Sequence, residues 1–313
     1  MRDWQRKNEP EPARLPGIPT VENPVSTFLH LYFDNYFFAS PLMKTILCPT
    51  DFSENSRHGL QYAIGFAKLI NAQLLLLHVV PIPYLDRDMF IAEPMVADLD
   101  EARRKLAEIC RETALQVPCE TLAQSGAAAD MIVKIAKDRQ TDWIVIGTKG
   151  ADNVPEALVG SVAAEVAQKT ACPLLIIPQG VGYKPVTKMV LAADFHGTEP
   201  QLLTPLMEIA KLTGAEVLAL HVEPETAELS ETKAIEAIRL ENWLGDVHAS
   251  VHITVHSDVQ EGIDVFVREE NADMVAVIAR QHGFFESLFH RSVTRMVALY
   301  TTVPTLVIRE QAD

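Results

Sequence analysis

The chain has 313 residues, 48% of them hydrophobic and 22% charged, with 42 acidic against 27 basic side chains and a formal net charge of −15. That length suggests about two domains, with ample apolar material for cores in a soluble globular protein. A net negative charge without a Lys/Arg cluster repels polyanions, which argues against nucleic acid and anionic membrane surfaces as partners.

Residues 1–42 differ from the rest. Pro10, Pro12, Pro16, Pro19 and Pro24 interrupt any regular element, so the stretch reads as a disordered N-terminal appendage. Its TFLHLYFDNYFFA run is aromatic-rich but carries His30 and Asp34. That run is too short for a spanning helix and too far from the N-terminus for a secretion signal. Met43 opens MKTILCPTDFS as a natural domain would. An appendage, even an upstream start-codon artefact, is therefore expected over 1–42 in preference to a membrane or partner anchor.

From Lys44 onward, short apolar runs alternate with amphipathic stretches. ILCPT (46–50), LLLLHVV (74–80), TLAQ (121–124), WIVIG (143–147) and LLIIP (174–178) have strand character. SENSRHGLQYAIGFAKLI (53–70), LDEARRKLAEICRETAL (99–115) and AAADMIVKIAKDRQ (127–140) carry helical spacing, with Ser53 or Asn55 suited to cap the first. Strands apolar on both faces and joined by helices predict an α/β fold with a doubly wound parallel sheet. On such sheets a ligand sits at the carboxyl ends of the strands, where the strand order reverses. Asp51 follows the first strand and Gly147 ends the fourth. If those strands are neighbours, the two residues share one crevice.

The fourth strand runs into GTKGADNVPEALVGS (147–161), which spaces Gly147, Gly150 and Gly160 before Ser161 and the helical SVAAEVAQKT. A helix start offers unpaired N–H groups and a positive dipole end, which suit a phosphate. Glycine lets the backbone approach an anion closely and permits φ > 0. Ser161 can cap the helix or donate to a phosphate oxygen. The plainer alternative is three ordinary turn glycines. The stretch is neither a Walker A loop, lacking its GK[ST], nor the dinucleotide fingerprint G-x-G-x-x-G.

The pattern then repeats. In both KTILCPTDFS, from Lys44, and KMVLAADFHG, from Lys188, 27 positions separate the aspartate (Asp51, Asp194) from a histidine (His78, His221). Asp142 to Pro173 and Asp273 to Pro304 are likewise both 31 apart. Two tandem copies explain this, at residues 43–178 and 187–310, joined by a linker at 179–186 around QGVGYKP. In the second copy IARQHGFFESLFHRS (278–292) places Ile278, Gln281 and Arg291 where the glycines stand, while Asp194 and Ser292 remain. Side chains at those positions fill a phosphate's space, and Ile278 does not readily take φ > 0.

Other features have plainer readings. His78 and His221 look like strand-end histidines satisfied by a local hydrogen bond. Asp142 and Asp273 look like turn residues, and Asp51 also reads as a helix-capping acid. His282 and His290 flank an aromatic FFESLF that suits packing. Cys48, Cys110, Cys119 and Cys172 are dispersed without a C-x-x-C, which favours reduced thiols in a cytosolic protein over disulfides or zinc. No Ser-His-Asp set, carboxylate pair or metal cluster is evident, so neither catalytic residues nor metal ligands are assigned.

Gly147-x-x-Gly150, nine residues, then Gly160-Ser161 resembles the ATP-binding signature of the universal stress protein family, and PTDFS and LLHVV resemble that family's first two strands. The resemblance runs from residue 43 to about residue 310. It implies two tandem doubly wound, parallel five-stranded sheets and an ATP site in the first copy. By carry-over, Asp51 contacts the ribose and the Val79 backbone meets the adenine. Gly147, Gly150, Gly160 and Ser161 hold the phosphates, and Val162 adds a backbone N–H. Mg²⁺ commonly accompanies ATP in such sites, though no carboxylate here is obviously placed to bind it. The resemblance also implies that edge strands pair, making the second copy a nucleotide-free pseudo-dimer partner, and it leaves a further homodimer open. The expected protein is a cytoplasmic stress-response or regulatory binder of adenine nucleotide, not an enzyme. A slow nucleotide hydrolase, with Lys149 the only cation inside the motif, and a nucleotide-independent scaffold are the alternatives.

Overall fold

A computed structural model describes residues 43–82, 92–148, 161–193, 199–223, 231–279 and 302–310. The expectations for residues 1–42, and for Asp194, His282 and His290, lie outside the described residues. In the first half the apolar runs form β1 (Lys44–Pro49), β2 (Ala72–Val80), β3 (Cys119–Ser125), β4 (Trp143–Gly147) and β5 (Leu174–Ile177). Between them lie α1 (Glu54–Ile70), α2 (Ala92–Thr113), α3 (Ala128–Asp138) and α4 (Ser161–Lys169). The second half repeats the series as β6 (Lys188–Ala192), α5 (Thr204–Thr213), β7 (Glu216–Glu223), α6 (Glu231–Trp243), β8 (Ala249–Val255), α7 (Val259–Glu269), β9 (Met274–Ala279) and β10 (Thr305–Arg309).

Each half is parallel within itself, in the order β3-β2-β1-β4-β5 or its counterpart β8-β7-β6-β9-β10. The two five-stranded sheets join as one ten-stranded sheet, because β5 and β10 pair antiparallel with Leu174 opposite Val307, Leu175 opposite Leu306 and Ile176 opposite Thr305. Leu174 to Ile177 are all buried, so alternate residues of β5 feed both faces. One core contains Trp143, Leu175, Met189 and Leu306, and the other contains Ile144, Ile176, Val190 and Val307. Each core therefore runs unbroken from the first half into the second. Burial on both faces is what a parallel sheet covered by helices requires.

The segment between β5 and β6 belongs to this packing. Tyr183 lies edge-on to Tyr62 of α1, with ring centroids 5.3 Å apart. A Cβ added at Gly65, one turn further along α1, would stand 2.2 Å from Tyr183 Cγ, so the missing side chain forms a seat for the ring. Lys184 pairs with Asp273 at 2.6 Å. The Asp273 carboxylate also accepts from the Thr187 hydroxyl at 2.6 Å and from the backbone N–H groups of Thr187 and Lys188 at 2.8 and 3.2 Å. Burial of Asp273 opposes ionisation, but these donors outweigh it and hold its carboxyl down at about 2. Asp142 acts likewise in the first half, accepting from Thr45 N–H at 2.8 Å. Both aspartates were expected to be turn residues. They also clamp the starts of neighbouring strands, β4 to β1 and β9 to β6.

The Gly65 seat makes a prediction with a change of sign. Gly65→Ala should destabilise the native chain by about 1–3 kcal/mol, because Tyr183 must move. In a Tyr183→Ala background the same change should be neutral or stabilise by about 0.5–1 kcal/mol, because alanine is the better helix former. Denaturant unfolding of the four proteins forms the cycle. Equal destabilisation in both backgrounds would rule the contact out.

Candidate functional site

In the first half the strand order reverses between β1 and β4, which pair directly, with Ile46 opposite Trp143 and Leu47 opposite Ile144. Asp51 and Gly147 therefore leave the sheet side by side, at the position where doubly wound sheets present ligands. Beyond β1 the chain turns sharply into α1. Thr50 N–H donates to Leu77 O at 2.8 Å and Phe52 N–H to Thr50 Oγ1 at 3.1 Å. Ser53 N–H donates to Asp51 Oδ1 at 3.0 Å, an Asx turn, and the Ser53 hydroxyl then caps α1 by accepting from Ser56 N–H. Asp51 is thus exposed at the rim of the crevice and oriented by the turn it closes.

Phe52 sits at φ 64°, an uncommon conformation for a side chain of its size. Its ring stacks on His78 with centroids 4.3 Å apart, and Lys105 Nζ of α2 lies 5.5 Å from the ring centroid. His78 Nδ1 donates to Thr50 O at 2.7 Å, and His221 Nδ1 to Ala193 O at 3.0 Å. Both strand-end histidines have the local hydrogen bond that was expected. In the second half His221 Nε2 also faces the buried Glu223 carboxylate at 3.1 Å, where the first half has Val80.

Val79 lies on β2 just past the end of β1. The last β1–β2 pair is Pro49 with Leu77, whereas β3 accompanies β2 as far as Val80. Along a strand the backbone polar groups of alternate residues point to the same neighbour. Leu77 O faces β1, where it accepts from Thr50, and Val80 O faces β3, where it accepts from Gly126 N–H. The N–H and C=O of Val79 therefore point to the side on which β1 has stopped.

Gly147 lacks a side chain because α1 leaves no room for one. A Cβ there would stand 2.8 Å from Asn55 O, and a Cβ at Gly59 would stand 3.0 Å from Gly147 N. The first turns of α1 rest backbone to backbone on the end of β4. Positive φ plays no part, since among the described residues the glycines in that region are Gly126, Gly180 and Gly214. In the second half Leu202 and Ile278 stand where Gly59 and Gly147 do, and both belong to the core packing on that face. There α5 starts only at Thr204, behind a 3₁₀ turn over Pro200–Leu203. Ile278 is an ordinary strand residue, 3% exposed, so side-chain volume and not backbone strain sets that half apart.

Ser161 is exposed as the first residue of α4, and Val162 behind it packs on the core of that face. Gly150, Gly160, Gln281, Arg291 and Ser292 lie outside the described residues. Among the described residues no group of three or more His, Cys, Asp or Glu could hold a metal ion. Asn55 Oδ1 and His58 Nδ1, on the α1 turns beside Gly147, are buried without a hydrogen-bond partner. Sequence reasoning missed Gly59, Thr50 and Ser56. A glycine inside an amphipathic helix was the available signal for the first.

The universal stress protein family model matches residues 43–178 and again 185–309. The universal stress protein MJ0531 of Methanocaldococcus jannaschii is 31% identical over 142 residues, covering 44% of this chain and 82% of that protein. A universal stress protein of Mycolicibacterium smegmatis is 23% identical over 288 residues, covering 84% of this chain and 96% of its own length. Among solved structures, a universal stress protein from Archaeoglobus fulgidus superposes with a TM-score of 0.67 at 23% identity, covering 86% of this chain and 97% of that one.

The packing at Gly147 predicts opposite failures in the two halves. Gly147→Ala should cost about 1–3 kcal/mol by forcing α1 off β4. Ile278→Gly, which restores the glycine of the first half, should instead cost about 2–5 kcal/mol by emptying core volume. Denaturant titration of each variant checks both costs. A Gly147→Ala protein as stable as the parent would refute the close approach.

Proposed function

The chain belongs to the universal stress protein family, and on that premise we propose that it is an adenine-nucleotide-binding stress-response protein that holds ATP in its first half. The observation that supports the reading is the pairing of β1 with β4 at the switch point, which brings Asp51 beside Gly147, with the Val79 backbone facing the side on which β1 has stopped; Ser161 begins the next helix. A ribose suits the exposed carboxylate at the rim, and an adenine edge, with donor and acceptor side by side, suits the N–H and C=O of one strand residue. A triphosphate suits the start of α4, where Gly150, Gly160, Ser161 and the Val162 N–H complete the set.

The described residues fit such a ligand where β1 ends: the Asp51 carboxylate is exposed there, and the N–H and C=O of Val79 point to the side that β1 has left open. Mg²⁺ would be held mainly by phosphate oxygens and water, in keeping with its reluctance to dehydrate. The role is binding rather than catalysis: nucleotide stabilises whichever conformation it prefers by its differential affinity. The second half, its glycine positions filled, serves as an intramolecular pseudo-dimer partner through β5 and β10.

Gly160→Val should weaken ATP binding at least about 100-fold, or roughly 2.7 kcal/mol, while leaving the circular dichroism spectrum unchanged. In parallel, ATP at about 100 times the parent's Kd should stabilise the parent by about 2.7 kcal/mol and the variant by no more than about 0.4 kcal/mol. Isothermal titration and thermal unfolding read the two effects. Undiminished affinity in the folded variant would refute the phosphate assignment.

A further inference from the structure

Three of the four thiols gather on one face near an edge of the sheet. Cys48 lies on β1, Cys110 in the last turn of α2 and Cys119 at the start of β3, the end strand of the sheet, and all three contribute to the same core. Cys172 belongs to the opposite face, where it donates to Thr141 O at 3.2 Å. All four are unbridged. Cys110 Sγ donates to the backbone oxygen of Cys119 at 3.0 Å, which brings its sulfur against the residue that carries the second thiol.

The intervening turn holds them together. Ala114 N–H donates to Cys110 O at 2.7 Å and Val117 N–H to Thr113 O at 3.1 Å, while Pro118 O accepts from Leu74 N–H at 2.8 Å. Both cysteines are half-buried, and among the described residues β3 has no strand on its outer side. A small oxidant can therefore reach a sulfur that already lies against the backbone of the second cysteine. Cys48, by contrast, is 1% exposed.

We infer that Cys110 and Cys119 form an oxidation site that closes to an intramolecular disulfide when a peroxide supplies the two-electron oxidant. Burial, reinforced by the adjoining Cys110, pushes the Cys119 thiol above its ordinary range, so Cys119 is the poorer candidate for the first attack. Cys110 sulfur attacks one peroxide oxygen. The S–O bond forms, the O–O bond breaks, and the departing oxygen leaves as water with the thiol proton, giving a sulfenic acid. Cys119 sulfur then attacks Cys110 sulfur. The S–S bond forms, the S–O bond breaks, and hydroxide leaves as a second water with the Cys119 proton. Two thiols lose two electrons and two protons, and one hydrogen peroxide becomes two waters. Cys48, buried in the core, is beyond a small oxidant's reach and stays out of the exchange.

The test uses the full-length reduced chain, treated with hydrogen peroxide, blocked with N-ethylmaleimide and digested without reductant for mass spectrometry. The expected product is one peptide pair linked Cys110 to Cys119, lighter by two hydrogens than the sum of its parts, with Cys48 and Cys172 alkylated. Full alkylation of Cys110 and Cys119, at a peroxide dose that oxidises free glutathione, would overturn the inference. So would a link to Cys48, a link between chains, or sulfinic acid without a link. In Cys119→Ser protein, dimedone should label Cys110 after peroxide, and its failure to do so would overturn the assigned order of attack.

Discussion

The backbone of α1 touches the backbone of β4 at Gly147, and the geometry of the first-half crevice follows from that contact. With a Cβ position only 2.8 Å from Asn55 O, the strand end and the helix start can meet only if that residue is glycine. The contact brings the Ser53-capped turn, with Asp51 at its rim, against the beginning of the glycine motif. It also fixes what the second half cannot do. In the second half Leu202 and Ile278 carry core side chains at the matching positions, and α5 begins only after a 3₁₀ turn. Two copies of one fold thus differ at their switch points by the presence of side-chain volume.

The join between the halves is equally physical. The β5–β10 pairing turns two sheets into one and makes both cores continuous, so the second half is built into the first rather than tethered to it. Tyr183 on its Gly65 seat and Lys184 on Asp273 tie the connecting segment to α1 on one side and to β9 on the other. Because α1 reaches from the Gly147 contact at its start to the Tyr183 seat further along, the crevice and the connection share one rigid element. A ligand that biases α1 therefore has a direct mechanical route to the second half.

Much of this was legible in the sequence. The fold class followed from apolar runs alternating with amphipathic stretches, and the tandem repeat from equal Asp–His spacings. The adjacency of Asp51 and Gly147 needed only that β1 neighbour β4, the usual order of a doubly wound sheet. What stayed hidden was non-local. Nothing in LLIIP or TLVIR announces an antiparallel partner, since a strand apolar on both faces is compatible with either direction. Gly59 and Gly65 look alike in the helix pattern, yet one meets a strand backbone and the other a tyrosine more than a hundred residues away. Asp142 and Asp273 have the composition of turn residues, and their clamping role depends on strands brought beside them only by the tertiary fold. The reason for Gly147 was half legible: close approach was foreseen, but towards a phosphate, whereas the structure shows it made to a helix.

The proposed function carries an asymmetry: one adenine-nucleotide site per chain, in the half where α1 meets β4 at glycine. Native mass spectrometry of the purified chain with ATP and Mg²⁺ measures this most directly. One nucleotide per polypeptide is the predicted count, falling to zero in Gly160→Val protein. Two per polypeptide would mean that Ile278 does not close the second crevice, and none would contradict the assignment of the glycine motif itself.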